Sequence, residues 1–266
     1  MNKKIKKRVQ VCTIVLVSVA LIYTVHYLHN WFSYSKEQPY YPKICQTDSL
    51  ITIGIIGDSW VSEKRKLDSL LQKELLGKGI ESKVISAGHP GAKSKLIYQN
   101  LFKNEDEKYS SKFIIDNCPD YCVIIAGVND AASQVGAGFY SYHIMLIIKT
   151  LLHYDIRPVI VELPEFGIEE VINEMNFIKR NRNKLYSTIT NSGEINCIQT
   201  YRDDFQRELA KNNLKDSIIF IPFESICRNY IQCSNLYENS SHLSKEGSQK
   251  LIQTIGQKLS TIIERK

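Results

Sequence analysis

From residue 50 onward, short runs of consecutive apolar residues alternate with longer stretches whose apolar positions recur every three or four residues. The runs at 51–56 (ITIGII), 83–86, 121–126 (YCVIIA) and 158–163 (PVIVEL, closed by Pro164) predict buried strands. Shorter candidates lie at 195–198 and 217–221. Helical spacing is found at 63–76, where Leu67, Leu70, Leu71 and Leu75 share a face, at 93–102, at 140–154, and over a long polar stretch at 168–190. It recurs at 203–212 and at 245–263, where Leu251, Ile252, Ile255, Leu259 and Ile262 form one stripe. Strict alternation of strand and helix predicts an α/β fold: a doubly wound, mostly parallel sheet with helices on both faces. Sites in such folds gather at the carboxyl ends of the strands.

The pattern before residue 50 is different. Residues 9–28 contain no Asp, Glu, Lys or Arg, and about 20 apolar residues suffice to cross a bilayer as a helix. Trp31, Phe32 and Tyr34 follow as interfacial aromatics do, and a basic segment precedes. The expected organisation is a cytoplasmic segment (1–8), a transmembrane helix (9–28), a stalk with Pro39, Pro42 and several tyrosines (29–49), and a domain at 50–266 outside the cytoplasm, periplasmic or extracellular. A cleaved signal peptide is the alternative, against which stand the length of the apolar run and the lack of a small-x-small site after it.

Net charge changes the picture less than its value of +6 implies. Lys3, Lys4, Lys6, Lys7 and Arg8 carry five of those charges, so the body is nearly neutral and shows no concentrated basic face for nucleic acid. Of seven cysteines, Cys12 lies in the proposed span; Cys45, Cys118, Cys122, Cys197, Cys227 and Cys233 remain for an oxidising compartment, where disulfides form. Cys122 and Cys197, inside apolar runs, read equally well as buried thiols. Cys227 and Cys233 bracket a short loop before His242 and are expected to form a disulfide steadying it. No zinc-type spacing of Cys and His occurs, and no cofactor or metal is expected.

Three short segments fall at predicted strand ends. Gly57-Asp58-Ser59-Trp60 presents a hydroxyl at a turn into a helix, where backbone N–H groups favour negative charge; Asp58 or Ser59 as a simple helix cap explains it as well. In Ala87-Gly88-His89-Pro90-Gly91-Ala92 the Gly91 N–H can face a cleft, or the segment is an ordinary turn. In Gly127-Val128-Asn129-Asp130 the Asn129 amide can donate to an oxyanion, or form an Asx turn. Near the C-terminus, His242 stands in the polar loop ENSSHLS before the last helix, unlike His26, His29, His143 and His153, which read as structural or solvated.

In this order the four segments resemble the block pattern of the SGNH, or GDSL-like, hydrolases over roughly residues 51–263. The resemblance implies an SGNH/flavodoxin-like fold, Ser59 as nucleophile, and His242 as base. It also implies an oxyanion hole of the Ser59 N–H, Gly91 and Asn129, and HLSKEG is similar to the usual HLxxxG continuation. Two positions depart from it: the family usually has Asn near the place of Ser86, and Asp where this chain has Asn239.

An Asn at 239 can accept the His242 Nδ1–H but brings no charge to the imidazolium; in serine proteases the corresponding Asp-to-Asn change costs about ten-thousandfold in turnover. Glu238, another carboxylate, or a backbone carbonyl in a Ser-His dyad are the alternatives for orienting the ring, with Asp58 a further auxiliary candidate. The expected function is a serine esterase or acyl transferase on O-acyl, above all O-acetyl, esters of an envelope or extracellular glycan. A lipid esterase or thioesterase, and an inactive glycan-binding protein, are the alternatives.

Overall fold

A computed structural model describes residues 3–43, 45, 50–104, 106 and 108–264. Two compact units emerge, residues 1–34 and 35–266. The first holds α1 (Lys3–Phe32). Its segment Gln10–Phe32 has a mean hydropathy of 2.1, none of it is buried, and its 23 residues are long and apolar enough to cross a membrane.

The second unit is built on a five-stranded parallel sheet. Its strands are β1 (Ile51–Gly57), β2 (Ser82–Gly88), β3 (Tyr121–Ile125), β4 (Arg157–Val161) and β5 (Ile219–Ile221), in the order β2-β1-β3-β4-β5. Every residue of β3 and all but the first of β1 and β4 are buried, as the continuous apolar runs require of strands covered on both faces. The helices are α2 (Leu67–Leu76), α3 (Ser94–Gln99), α4 (Ser111–Asp116), α5 (Val128–Ala132), α6 (Ala137–His153), α7 (Ile168–Glu174), α8 (Phe177–Thr190) and α9 (Ile198–Lys211). A small hairpin of β6 (Tyr237–Asn239) and β7 (His242–Leu243) then leads into α10 (Lys245–Ile263). Helix α2 packs with α10, and α6 with α3 and α9. The final helix forms where its stripe predicts it, with Leu251, Ile252, Ile255 and Leu259 buried and the Ser244 hydroxyl capping the Gly247 N–H.

Five expectations require correction. Residues 195–198 form no strand: Gln134 Nε2 donates to the Ile195 carbonyl (2.8 Å), Cys197 is buried ahead of α9, and β5 pairs directly with β4. The stretch 168–190 is two helices, because Met175 is extended and the Asn176 side chain caps α8 by accepting the Lys179 N–H (3.0 Å). The first part of 63–76 is a 3-10 turn, Glu63–Arg65, and α2 starts only at Leu67.

The expected stalk belongs largely to the domain. Ser35 N–H donates to His143 Nε2 (3.1 Å), Gln38 N–H to the Tyr98 hydroxyl (2.8 Å) and Tyr41 N–H to the Tyr154 hydroxyl (2.9 Å). Cys45 is disulfide-bonded to Cys118, which suits an oxidising compartment. Residues 44 and 46–49 of that stretch lie outside the described residues. Cys227 and Cys233, expected to pair, are both free thiols. Cys122 and Cys197 are free and buried, and burial pushes the Cys197 thiol up to about 12.

Candidate active site

The strand order reverses between β1 and β3, and crevices of doubly wound sheets open outside such a point, at the carboxyl ends of the strands. Both strands end there in the segments singled out above. A Cβ on Gly57 would lie 2.1 Å from the Ile125 carbonyl oxygen, so only glycine lets β1 close against β3 at this level. Asp58 then turns the chain: its N–H donates to the Ile125 carbonyl (3.3 Å), and its carboxylate accepts the Trp60 N–H (3.0 Å), capping the 3-10 turn Ser59–Val61. The cap is therefore Asp58, and Ser59 is left half-buried at the cleft.

His242 arrives from the other end of the chain on the β6–β7 hairpin. Its Nε2 stands 3.0 Å from Ser59 Oγ, across 183 residues of sequence. On the far side of the ring, Nδ1 lies 3.0 Å from Asn239 Oδ1. That oxygen also accepts the N–H groups of Ser241 and His242, each at 3.0 Å. Two fixed donors pin the amide with its oxygen toward the imidazole, so Nδ1 carries the proton and Nε2 is free to accept the Ser59 O–H. Trp60 Nε1–H donates to the Ser241 carbonyl (2.8 Å), Gly167 N–H to the Ser240 carbonyl (2.7 Å), and the Tyr237 hydroxyl to the Glu165 carbonyl. The hairpin is thus bonded on both sides to the loops that follow β1 and β4.

Glu238 does not orient the ring. It forms an ion pair with Arg65 Nη2 (2.6 Å), while Arg65 Nη1 donates to the Leu243 carbonyl (2.8 Å). The guanidinium bond holds the Glu238 carboxyl below the usual carboxylate range. Burial, then the Arg65 charge, lower the His242 pKa from its ordinary 6.5, with Glu238 opposing. A neutral, proton-accepting imidazole is thereby favoured near neutrality.

The donors that face the cleft are unequal. Gly91, at φ +78 with open space where a Cβ would be, holds a left-handed turn after β2. Among the described residues, neither its N–H nor that of Ser59 is spent on a protein acceptor. The Asn129 amide is engaged: Nδ2 donates to the Ala92 carbonyl (3.1 Å) and, at 3.3 Å, to Asp58 Oδ2. Asp58 is completely buried, and burial raises its pKa to about 7. Asp130 lies under the same loop, accepting from the Ser94 N–H (2.8 Å) and hydroxyl (2.6 Å), and burial raises it to about 6.

The cleft above Ser59 measures about 510 Å³ and is lined by Ser59, Ser62, Lys64, Arg65, Pro90, Tyr109, Glu238 and His242. The fold brings the expected Ser59, His242 and Asn239 together and adds Arg65 and Lys64 to the cleft. No local signal marks them within the polar run SEKRK.

No family model matches the chain, and neither does any curated protein. Solved structures do match. The chain is similar to a GDSL-like lipase from Bacteroides thetaiotaomicron, at 14% identity over 79% of this chain and 88% of the other (TM-score 0.52). It is also similar to an acetyl xylan esterase, at 17% identity over 80% and 100% (TM-score 0.55). A third neighbour is a psychrotrophic esterase from Pseudoalteromonas sp. solved with monoethylphosphonate as inhibitor, at 13% identity over 80% and 98% (TM-score 0.56). With identities this low, what the likeness carries is architecture, and by it this chain has the fold of the SGNH, or GDSL-like, hydrolases.

Proposed function

We propose that the protein is a serine ester hydrolase or acyl transferase in which Ser59 is the nucleophile and His242 its general base. The observation that carries this reading is the line of contacts from Ser59 Oγ through His242 Nε2 and Nδ1 to a pinned Asn239 oxygen. Ser59 Oγ attacks the ester carbonyl carbon while its proton passes to Nε2. The Ser59 and Gly91 N–H groups receive the oxyanion, and Asn129 joins them by exchanging its long bond to Asp58. The tetrahedral intermediate expels the alkoxide, which takes the proton from Nε2, leaving an acyl-serine. Water or an incoming hydroxyl, deprotonated by His242, then releases the acyl group.

The cleft supports small acyl groups on polar alcohols, such as O-acetyl groups of a glycan. Among the described residues, Pro90 and Tyr109 are its least polar lining side chains and no Val, Leu, Ile, Met or Phe lines it, whereas a long acyl chain needs an apolar channel. The acetyl xylan esterase among the structural neighbours agrees with that class of substrate. With α1 crossing a membrane and its basic end cytoplasmic, the domain lies on the outer side, where the Cys45–Cys118 disulfide is stable. The test is hydrolysis of an aryl acetate and an aryl octanoate by the full chain. Acetate turnover that vanishes in Ser59→Ala, with octanoate much slower, is expected. Equal rates in Ser59→Ala and the parent overturn the nucleophile assignment, and faster octanoate turnover overturns the substrate class.

A further inference from the structure

Helix α8 is packed with its apolar face outward. Phe177, Ile178, Leu185 and Ile189 are 71, 78, 59 and 68% exposed, while the buried residues of the helix are Asn183, Tyr186 and Ser187. Ile178, Leu185 and Ile189 follow at spacings of seven and four, which places them on one stripe. The inner face is held by polar bonds: Asn183 Nδ2 donates to the Ala132 carbonyl (2.8 Å), and Thr190 Oγ1 to the Gln134 carbonyl (3.1 Å). Among the described residues, nothing in the domain's own packing therefore calls for the outer apolar stripe.

Charge narrows what covers it. Lys179, Arg180, Arg182 and Lys184 lie along α8, and no acidic residue occurs between Phe177 and Thr190. An exposed apolar stripe on a helix with basic residues and no acidic ones is the pattern of helices that lie in a membrane interface. A second copy docked through the same face would bring these cations against each other. An anionic lipid surface neutralises them.

Placement supplies an independent reason. Gly136, just ahead of α6, sits beside Thr190 at the end of α8. His143, seven residues further along α6 and so about 10 Å away, binds the N–H of Ser35. Ser35 is the residue through which the domain joins α1 and its membrane-length apolar segment. The end of α8 and the attachment point thus lie within the first two turns of one helix.

We propose that α8 is a membrane-surface helix that rests on anionic phospholipid, with Phe177, Ile178, Leu185 and Ile189 among the headgroups and Lys179 and Lys184 at the phosphates. The full chain in lipid nanodiscs, carrying the photo-cross-linker p-benzoylphenylalanine in place of Ile178, Leu185 or Ile189, tests this by mass analysis of the adducts. In discs containing phosphatidylglycerol, phospholipid adducts are expected at all three positions, well above a control at the exposed Gln253 of α10. Lys184→Gln is expected to lower the docking equilibrium about fivefold, and phosphatidylcholine alone to lower it further. Amide exchange on the unsubstituted chain is expected to slow in α8 when anionic discs replace detergent. Adducts to a second protein copy, lipid yields equal to those at Gln253, or unchanged exchange in α8 overturn the proposal.

Discussion

Replacing Asn239 by Asp isolates the one charge that this site lacks. Asn239 Oδ1 is already 3.0 Å from His242 Nδ1 and is fixed by two backbone N–H groups, so the new carboxylate enters an occupied and oriented position. In a serine protease the loss of the corresponding Asp is severe because the amide imposes the wrong imidazole tautomer. Here the pinned amide already enforces the right one, and only the charge term remains to be gained. A carboxylate and an imidazolium about 4 Å apart attract by about 4 kcal/mol at an effective dielectric of about 20, and by about 1 kcal/mol in bulk water. Asn239 is exposed, which places the gain between these limits. Asn239→Asp should therefore raise kcat on an aryl acetate by about 5- to 900-fold and move the acid limb of the rate profile upward in pH. Steady-state kinetics from pH 4 to 9 measure both. An unchanged or lower kcat with an intact fold would refute the reasoning that Asn239 acts as an uncharged stand-in for the triad acid.

The same reasoning yields further expectations. Glu238 raises the His242 pKa, so Glu238→Gln should shift the acid limb of kcat/KM to lower pH, while Arg65→Gln should shift it higher. Asp58 is protonated more readily folded than unfolded, so its contribution to stability is full below about pH 4 and is lost as pH rises through about 7. The melting temperature of Asp58→Asn relative to the parent should accordingly rise between pH 5 and 8; a constant difference would contradict this. Cys45→Ser opens a crosslink spanning 73 residues and should cost up to about 4 kcal/mol in denaturant unfolding, with activity per folded molecule retained. Gly57→Ala drives a methyl into the Ile125 carbonyl and should abolish soluble expression or activity.

Much of this architecture is legible in the chain because the central strands are covered on both faces. β1, β3 and β4 stand out as unbroken apolar runs, and α10 as a single stripe. Residues 195–198 carry a shorter apolar signal, yet they run from a loop into the first residue of α9 and bury only Cys197 and Ile198, since a run of four cannot distinguish strand from core-facing coil. The break at Met175 and Asn176 depends on a side-chain cap that competes with helix continuation, and the docking of 35–43 on tyrosine hydroxyls far along the chain. Ser59 and His242, 3.0 Å apart in the fold, are legible as a candidate pair because each stands in a short polar segment beside a predicted strand or helix end. The Arg65–Glu238 pair, 173 residues apart in a polar setting, is created only by the fold.

The central claim is that Ser59 is activated by His242, and a mechanism-based phosphonate ester tests it most directly. Peptide mapping after reaction of the full chain should find one phosphonyl group on Ser59, absent in Ser59→Ala and formed orders of magnitude more slowly in His242→Ala. Modification at another residue, or a labelling rate indifferent to His242, would contradict the account.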